Sequence, residues 1–188
     1  MISRKVQRVF LRMVLKLIGP QKRADFIKKR NILYYVGKNC SFTTVDFGNE
    51  PYLISIHDNV EIASDVTFIT HDNSCFLISR YLKLERRLDK VGSIEIFDNC
   101  FIGAKSIIMP NVKIGPNSIV AAGSIVTKDV PKGTIVAGNP AKVICTIDEY
   151  ANKLINTNKN FKWREYLKDP RRNKEIIIES RKKYFWND

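Results

Sequence analysis

The sequence predicts a mainly β protein, a three-faced prism of stacked short strands with helical segments at both ends. Three observations predict it. Residues Ile96 to Pro131 divide into six consecutive six-residue units, which open on Ile96, Ile102, Ile108, Ile114, Val120 and Val126. The fifth places of these units hold Cys100, Ser106, Val112, Ser118, Ser124 and Val130, all small or β-branched. The period fits neither a helix, which repeats about every 3.6 residues, nor a flat amphipathic strand, which repeats about every 2. A sustained internal period outranks other sequence cues. Six residues suit one face of a prism, as one short strand and one turn. The opening aliphatic points inward, and the fifth residue must fit near the axis. Successive turns then bury a column of aliphatics that no single turn buries alone.

In chain order, residues 2–18 read as an amphipathic helix. Ile2, Val6, Val9, Phe10, Met13, Val14 and Leu17 recur at helical spacing, with basic residues between them. Gly19-Pro20 ends this helix, and a second short one is expected over about Lys22 to Lys29. The first helix has two readings. It packs on the prism or on a neighbouring subunit, or it lies on a membrane surface. The repeat opens weakly at Val36, becomes irregular from Phe42 to Pro51, and resumes at Ile56, Ile62 and Phe68. Phe68 to Ile96 is 28 residues, not a multiple of six, so the chain must leave the prism between them. This excursion covers roughly Asn73 to Gly92 and carries Arg80, Lys83, Arg86, Arg87 and Lys90. A loop of that size in a compact domain is usually functional or disordered. The expected organisation is an N-terminal helical segment (1–35), the prism (36–147) and charged C-terminal helices (148–188). In the last, Tyr150, Leu154, Phe161, Trp163, Tyr166 and Leu167 are the expected packing residues.

The 188 residues suit one domain with a real core. A net charge of +13 favours anionic partners, yet no nucleic-acid-binding module is visible, and none is expected to bind. Cys40, Cys75, Cys100 and Cys145 show no metal-like spacing, and Cys40 and Cys100 fall at fifth places as small core residues. Basic residues interrupt the first apolar stretch, so no secretory signal is read and the expected location is cytoplasmic.

The phrase Val126-Thr-Lys-Asp-Val-Pro, followed by Lys-Gly-Thr-Ile-Val-Ala-Gly138-Asn-Pro140-Ala-Lys142-Val-Ile, gives the chain its family likeness. From about Val36 to Ile144 the chain resembles the hexapeptide-repeat acyltransferases. Among these it is similar to the maltose, galactoside and nodulation-type O-acetyltransferases and the xenobiotic acetyltransferases. The resemblance implies a left-handed parallel β-helix, a homotrimer with its site between subunits, and acetyl-coenzyme A as acyl donor. It implies no metal. It also implies acceptor classes: a sugar hydroxyl, such as one of a surface polysaccharide, an antibiotic, or the amine of a nucleotide-linked sugar. A non-catalytic scaffold is the remaining reading.

The resemblance makes His71, at the edge of the excursion, the general base that takes the acceptor's proton. The chemistry suits an imidazole, because an alcohol attacks poorly until a base accepts its proton. His57, in a regular unit, reads as a surface or interface residue. Asp46, Glu50, Asp72 and Glu95 are all candidates to orient His71, and Asp46 and Glu50 are also candidates to touch the acceptor. Matching the family's cofactor phrases gives Ala104, Ala122, Thr127, Lys128 and Lys142 as coenzyme A contacts. Relatives often carry Arg at the last of these, and Lys keeps the charge without the bidentate fork.

Overall fold

The computed structural model describes residues 4–186, with side chains from residue 9 onward. Ile2 of the amphipathic pattern lies outside the described residues. The chain forms two compact units, one running to Ile147 and one from Asp148.

In the first unit, α1 (Arg4–Leu17) and α2 (Pro20–Lys29) precede the strands. Proline at the first position of α2 is well tolerated there, because its missing N–H has no helical partner to lose. The chain then coils. Its first turn is β1 (Tyr35–Val36) and β2 (Ser41–Phe42), and its second is β3 (Ile54–Ile56), β4 (Glu61–Ile62) and β5 (Thr67–Phe68). Next comes the excursion with α3 (Ser74–Tyr81). The third turn is β6 (Ile94–Ile96), β7 (Phe101–Ile102) and β8 (Ile107–Ile108). The fourth is β9 (Val112–Ile114), β10 (Ile119–Val120) and β11 (Ile125–Val126). The strands β12 (Thr134–Gly138) and β13 (Ala141–Thr146) close the unit.

The second, third and fourth turns each give one strand to each of three sheets and the first turn gives strands to two of them, in the orders β1-β3-β6-β9, β13-β12-β10-β7-β4-β2 and β11-β8-β5. All pairs are parallel except β12 with β13. The registers Ile96↔Ile114, Ile102↔Val120 and Ile108↔Val126 set an offset of 18 residues, three units of six. Across the excursion, Ile56↔Ile96, Ile62↔Ile102 and Phe68↔Ile108 set an offset of 40, so the excursion inserts 22 residues without disturbing the stack. The opening aliphatics are buried as the period requires. So are the fifth places, where the serines meet carbonyls: Ser106 Oγ donates to Gly103 O (2.8 Å) and Ser118 Oγ to Pro131 O (2.9 Å). Cys40 and Cys100 are buried core residues whose thiols burial pushes up in pKa.

One corner carries a device that the period alone did not expose. Asn39, Asn59, Asn99 and Asn117 all sit at positive φ and form a ladder, each side-chain amide donating to the next at 3.2, 3.0 and 2.9 Å. Asparagine suits this corner because it tolerates the left-handed conformation and its amide pairs along the stack. Its recurrence at the fourth place of the units was the available signal.

The helices plug the first turn. Leu15, Ala24 and Ile27 belong to the same buried cluster as Val36 and Phe42. Arg23, itself buried, donates to the carbonyls of Leu15 (2.8 Å), Ile18 (3.0 Å) and Phe42 (2.7 Å), and to Thr43 O. Burial lowers its pKa, but a guanidinium keeps its charge. Arg23→Met is expected to cost roughly 3 kcal/mol or more, because it leaves several buried carbonyls unpaired. Arg23→Lys should recover only part of this. Chemical denaturation checks both, and a Met variant as stable as the parent would remove these bonds from the fold's support.

In the second unit, α4 (Ile147–Asn158), a tight turn at Arg164–Lys168 and α5 (Lys174–Trp186) build a small aromatic core. Trp163 stacks on Phe161 at 4.4 Å, with Tyr184 edge-on to both, and Ile177 is buried. This corrects the expected packing set. Tyr150, Leu154 and Leu167 are exposed, because neither α4 nor the turn at Arg164–Lys168 buries a residue of its own.

Candidate active site

The irregular stretch after β2 is held against the second turn by its own side chains. Phe47 is buried, packs edge-on against Phe42 at 5.5 Å and stacks on Phe68 at 5.6 Å. Gly48 follows at φ +75°, where an added Cβ would lie 2.6 Å from Phe68 O, so a side chain here meets both strain and a clash. Thr44 Oγ1 donates to Val66 O at 3.3 Å. This path delivers Glu50 to Thr70 and His71. Glu50 Oε1 lies 3.2 Å from His71 Nδ1, and Glu50 Oε2 accepts from Thr70 Oγ1 at 3.3 Å.

The neck of the excursion fixes His71 from the other side. His71 forms an antiparallel bridge with Val91, and Gly92 N donates to Thr70 O at 2.8 Å. Asp72 N donates to Lys90 O at 2.9 Å, while Lys90 Nζ donates to Asp72 Oδ2 at 2.6 Å. The Lys90 ammonium, helped by the Ser74 N–H, holds the Asp72 carboxyl well below the usual carboxylate range. A depressed carboxylate contributes stability above its ordinary range and loses it only as pH falls through the lowered value. The clamp therefore stays closed through mildly acidic solution. The excursion is not a bare loop: it contains α3, where Ser79 Oγ donates to Cys75 O and accepts from Leu88 N at 2.9 Å, tying the return path to the helix.

A carboxylate only accepts, so Glu50 assigns the proton of His71 to Nδ1. Nε2 then carries the lone pair. That atom is buried and, among the described residues, has no hydrogen-bond partner. Asp89 Oδ1 lies 3.6 Å away, beyond hydrogen-bonding distance. Phe76 presents its edge to the imidazole at 6.1 Å, and Arg87 sits over the other ring at 4.9 Å. The sequence marks Arg87 only as one cation of the excursion and does not mark Thr70 or Phe76. The nearness of Thr70 and Phe76 to His71 in the chain was the only hint.

Of the four carboxylates considered for His71, only Glu50 meets its Nδ1. Glu95 lies on His57 instead, at 3.2 Å from its Nε2, while the His57 ring stacks on Phe97 at 5.0 Å. Asp72 holds the neck. Asp46 pairs with Arg12 of α1 and accepts from Gly48 N at 3.2 Å. With Arg12, Leu11, Leu15, Val45 and Tyr52 it lines a cavity of about 480 Å³ that neither His71 nor Glu50 lines.

The residues matched to coenzyme A lie on the later turns. Ala104 and Ala122 occupy equivalent places on the third and fourth turns, where Gly123 N donates to Ala104 O at 2.8 Å. A Cβ on Gly103 would lie 2.4 Å from Ala122 N, so this corner stacks backbone on backbone. Thr127 and Lys128 are exposed after β11, and Lys142 is exposed on β13 opposite Ala137. Among the described residues, His71, Cys75 and Asp89 bring one potential ligand atom each within 4.8 Å of one another, a grouping that their spacing does not suggest.

A regular six-residue coil that places a carboxylate-oriented histidine beside an excursion defines a class of protein, the transferases built on such repeats. Comparisons with known proteins agree. The bacterial transferase hexapeptide (six repeats) family matches residues 93–128. Protein CapG of Staphylococcus aureus is 44% identical over 147 residues, 77% of this chain and 83% of that one. A maltose O-acetyltransferase from Clostridium difficile 630 is 25% identical, with a TM-score of 0.51 over 74% of this chain and 85% of that one. A hexapeptide-repeat acetyltransferase of Vibrio cholerae, solved with acetyl-coenzyme A, shares the fold at 22% identity and a TM-score of 0.52, over 75% of this chain and 85% of that one. The chain belongs to the hexapeptide-repeat acetyltransferases.

Proposed function

We propose that the protein transfers an acetyl group from acetyl-coenzyme A to a sugar hydroxyl, with His71 as general base, in a left-handed coil that works as a homotrimer. The observation that carries this reading is the His71 environment. Nδ1 is committed to Glu50, and Nε2 is buried with its lone pair unspent. Nε2 accepts the hydroxyl proton as the acceptor oxygen attacks the thioester carbonyl, and backbone N–H groups stabilise the oxyanion. As the C–S bond breaks, Nε2 returns that proton to the leaving thiolate, so the enzyme ends as it began. Glu50 is a positioning residue here, because both its oxygens are engaged with His71 and Thr70. Asp46 is proposed as a further acceptor contact, reached by a part of the acceptor away from the reacting hydroxyl, because the cavity it lines beside α1 is not lined by His71.

The sugar acceptor rests on the family likeness and on the maltose O-acetyltransferase among the similar structures. A role in surface polysaccharide synthesis and a cytoplasmic location belong to the same reading. Among the described residues, no helix is long and apolar enough to cross a membrane. Release of free thiol from acetyl-coenzyme A, measured with panels of sugars, antibiotics and amino sugars, tests the proposal. Turnover confined to antibiotics or to amines would replace the sugar hydroxyl, and no turnover with any acceptor would favour a scaffold.

Lys128→Ala and Lys142→Ala are each expected to weaken acetyl-coenzyme A by about 1 kcal/mol, the scale of an exposed charge pair. The effect should shrink with salt. An unchanged KM for acetyl-coenzyme A in both variants would remove these contacts. Light scattering is expected to show a trimer, since closed cyclic symmetry completes a site shared between subunits. An active monomer would refute this.

A further inference from the structure

We infer that α1 is a docking surface for an anionic lipid bilayer. The helix has two apolar faces. One packs inward, with Leu15 buried and Leu11 half-buried against the core cluster, and Ile18 just past the helix end half-buried beside them. The other is left in the open: Val9, Phe10, Met13 and Leu17 are 54%, 67%, 61% and 86% exposed. Val9, Met13 and Leu17 follow one another at a spacing of four, with Phe10 beside them, so they form one continuous stripe along the helix.

Charge identifies the occupant. The helical part of α1 contains Arg4, Lys5, Arg8, Arg12 and Lys16 and no acidic residue. By the helical period, positions 12 and 16 fall on the row next to the Val9–Met13–Leu17 stripe. Lys16 is exposed there, and Arg12 is half-buried beside Asp46. An apolar stripe edged by cations is the form of a helix that lies in the interface plane, with its apolar side among acyl chains and its cations among anionic headgroups. The other side of this helix is already buried in the protein, so docking brings the whole first unit to the surface without unfolding α1.

The test uses the full chain and does not depend on the acetyl-transfer reading. Sedimentation is run with vesicles of phosphatidylglycerol and phosphatidylcholine, and with vesicles of phosphatidylcholine alone. The chain should partition to the first and not the second, and salt should weaken the binding. Phe10→Glu combined with Leu17→Glu should reduce partitioning by roughly tenfold or more, because the stripe then carries charge into the interface. Both positions are exposed, so the core is untouched. As an independent readout, Leu17→Trp should give a blue-shifted emission component only when anionic vesicles are added. Equal binding to both vesicle types, retained binding in the double Glu variant, or no blue shift would overturn the inference. So would a change of oligomeric state in the double Glu variant, since the stripe would then be covered by a second copy of the chain.

Discussion

His71→Ala is expected to lower turnover by roughly two to four orders of magnitude, the usual worth of general-base assistance. The fold should survive, because the side chain stands outside the aliphatic column and its backbone bridge to Val91 does not need the imidazole. The KM for acetyl-coenzyme A should stay close to the parent value, as the matched cofactor residues lie on other turns. His57→Ala is the control. Its ring lies against Phe97 and Tyr35, with Nε2 on Glu95, so it should keep most of the activity. A folded His71→Ala variant with near-normal turnover would end the catalytic assignment and move a binding-only scaffold to first place.

Glu50 gives the second large effect. Glu50→Ala should slow turnover by roughly 10- to 100-fold, the range found when the partner that orients a functional histidine is lost. Glu50→Gln should be worse than its similar shape suggests. An amide can turn its NH₂ toward Nδ1, which then becomes the acceptor and places the ring proton on Nε2, where the lone pair is needed. Both variants should lose kcat far more than affinity for acetyl-coenzyme A. Glu50→Asp, which keeps the acceptor but shortens the reach, should fall between them and the parent. The discriminating comparison is kcat against KM across the three. If Glu50 instead contacts the acceptor, the acceptor KM will rise and kcat will change little.

Dispensability of the N-terminal helix, a natural expectation for a segment outside the repeat, does not follow once the contacts of α1 and α2 are seen. Leu15 lies in the core cluster, Arg12 holds Asp46, and Arg23 ties the helices to the carbonyls of Phe42 and Thr43. The same stretch of chain carries Glu50 to His71. Removing α1 should therefore loosen the path that orients the base, even though the helix offers no base itself.

The period of six determined the stacked coil, the inward aliphatics, the small fifth places and the length of chain that had to leave the prism. These are local rules: each unit repeats the same demand for one apolar and one small residue, so one stretch of sequence states it six times. The position of His71 at the break in that period was legible for the same reason. The choice of Glu50 among four carboxylates belonged to the tertiary structure alone. Phe47, Gly48 and Thr44 fold an irregular stretch onto the next turn, and contacts between turns have no period to read. The two faces of α1 divide in the same way. Helical spacing marked a stripe that includes Val9, Phe10, Met13 and Leu17, but packing leaves those four in the open and buries Leu15, which lies outside that stripe, because burial depends on what the rest of the chain brings alongside.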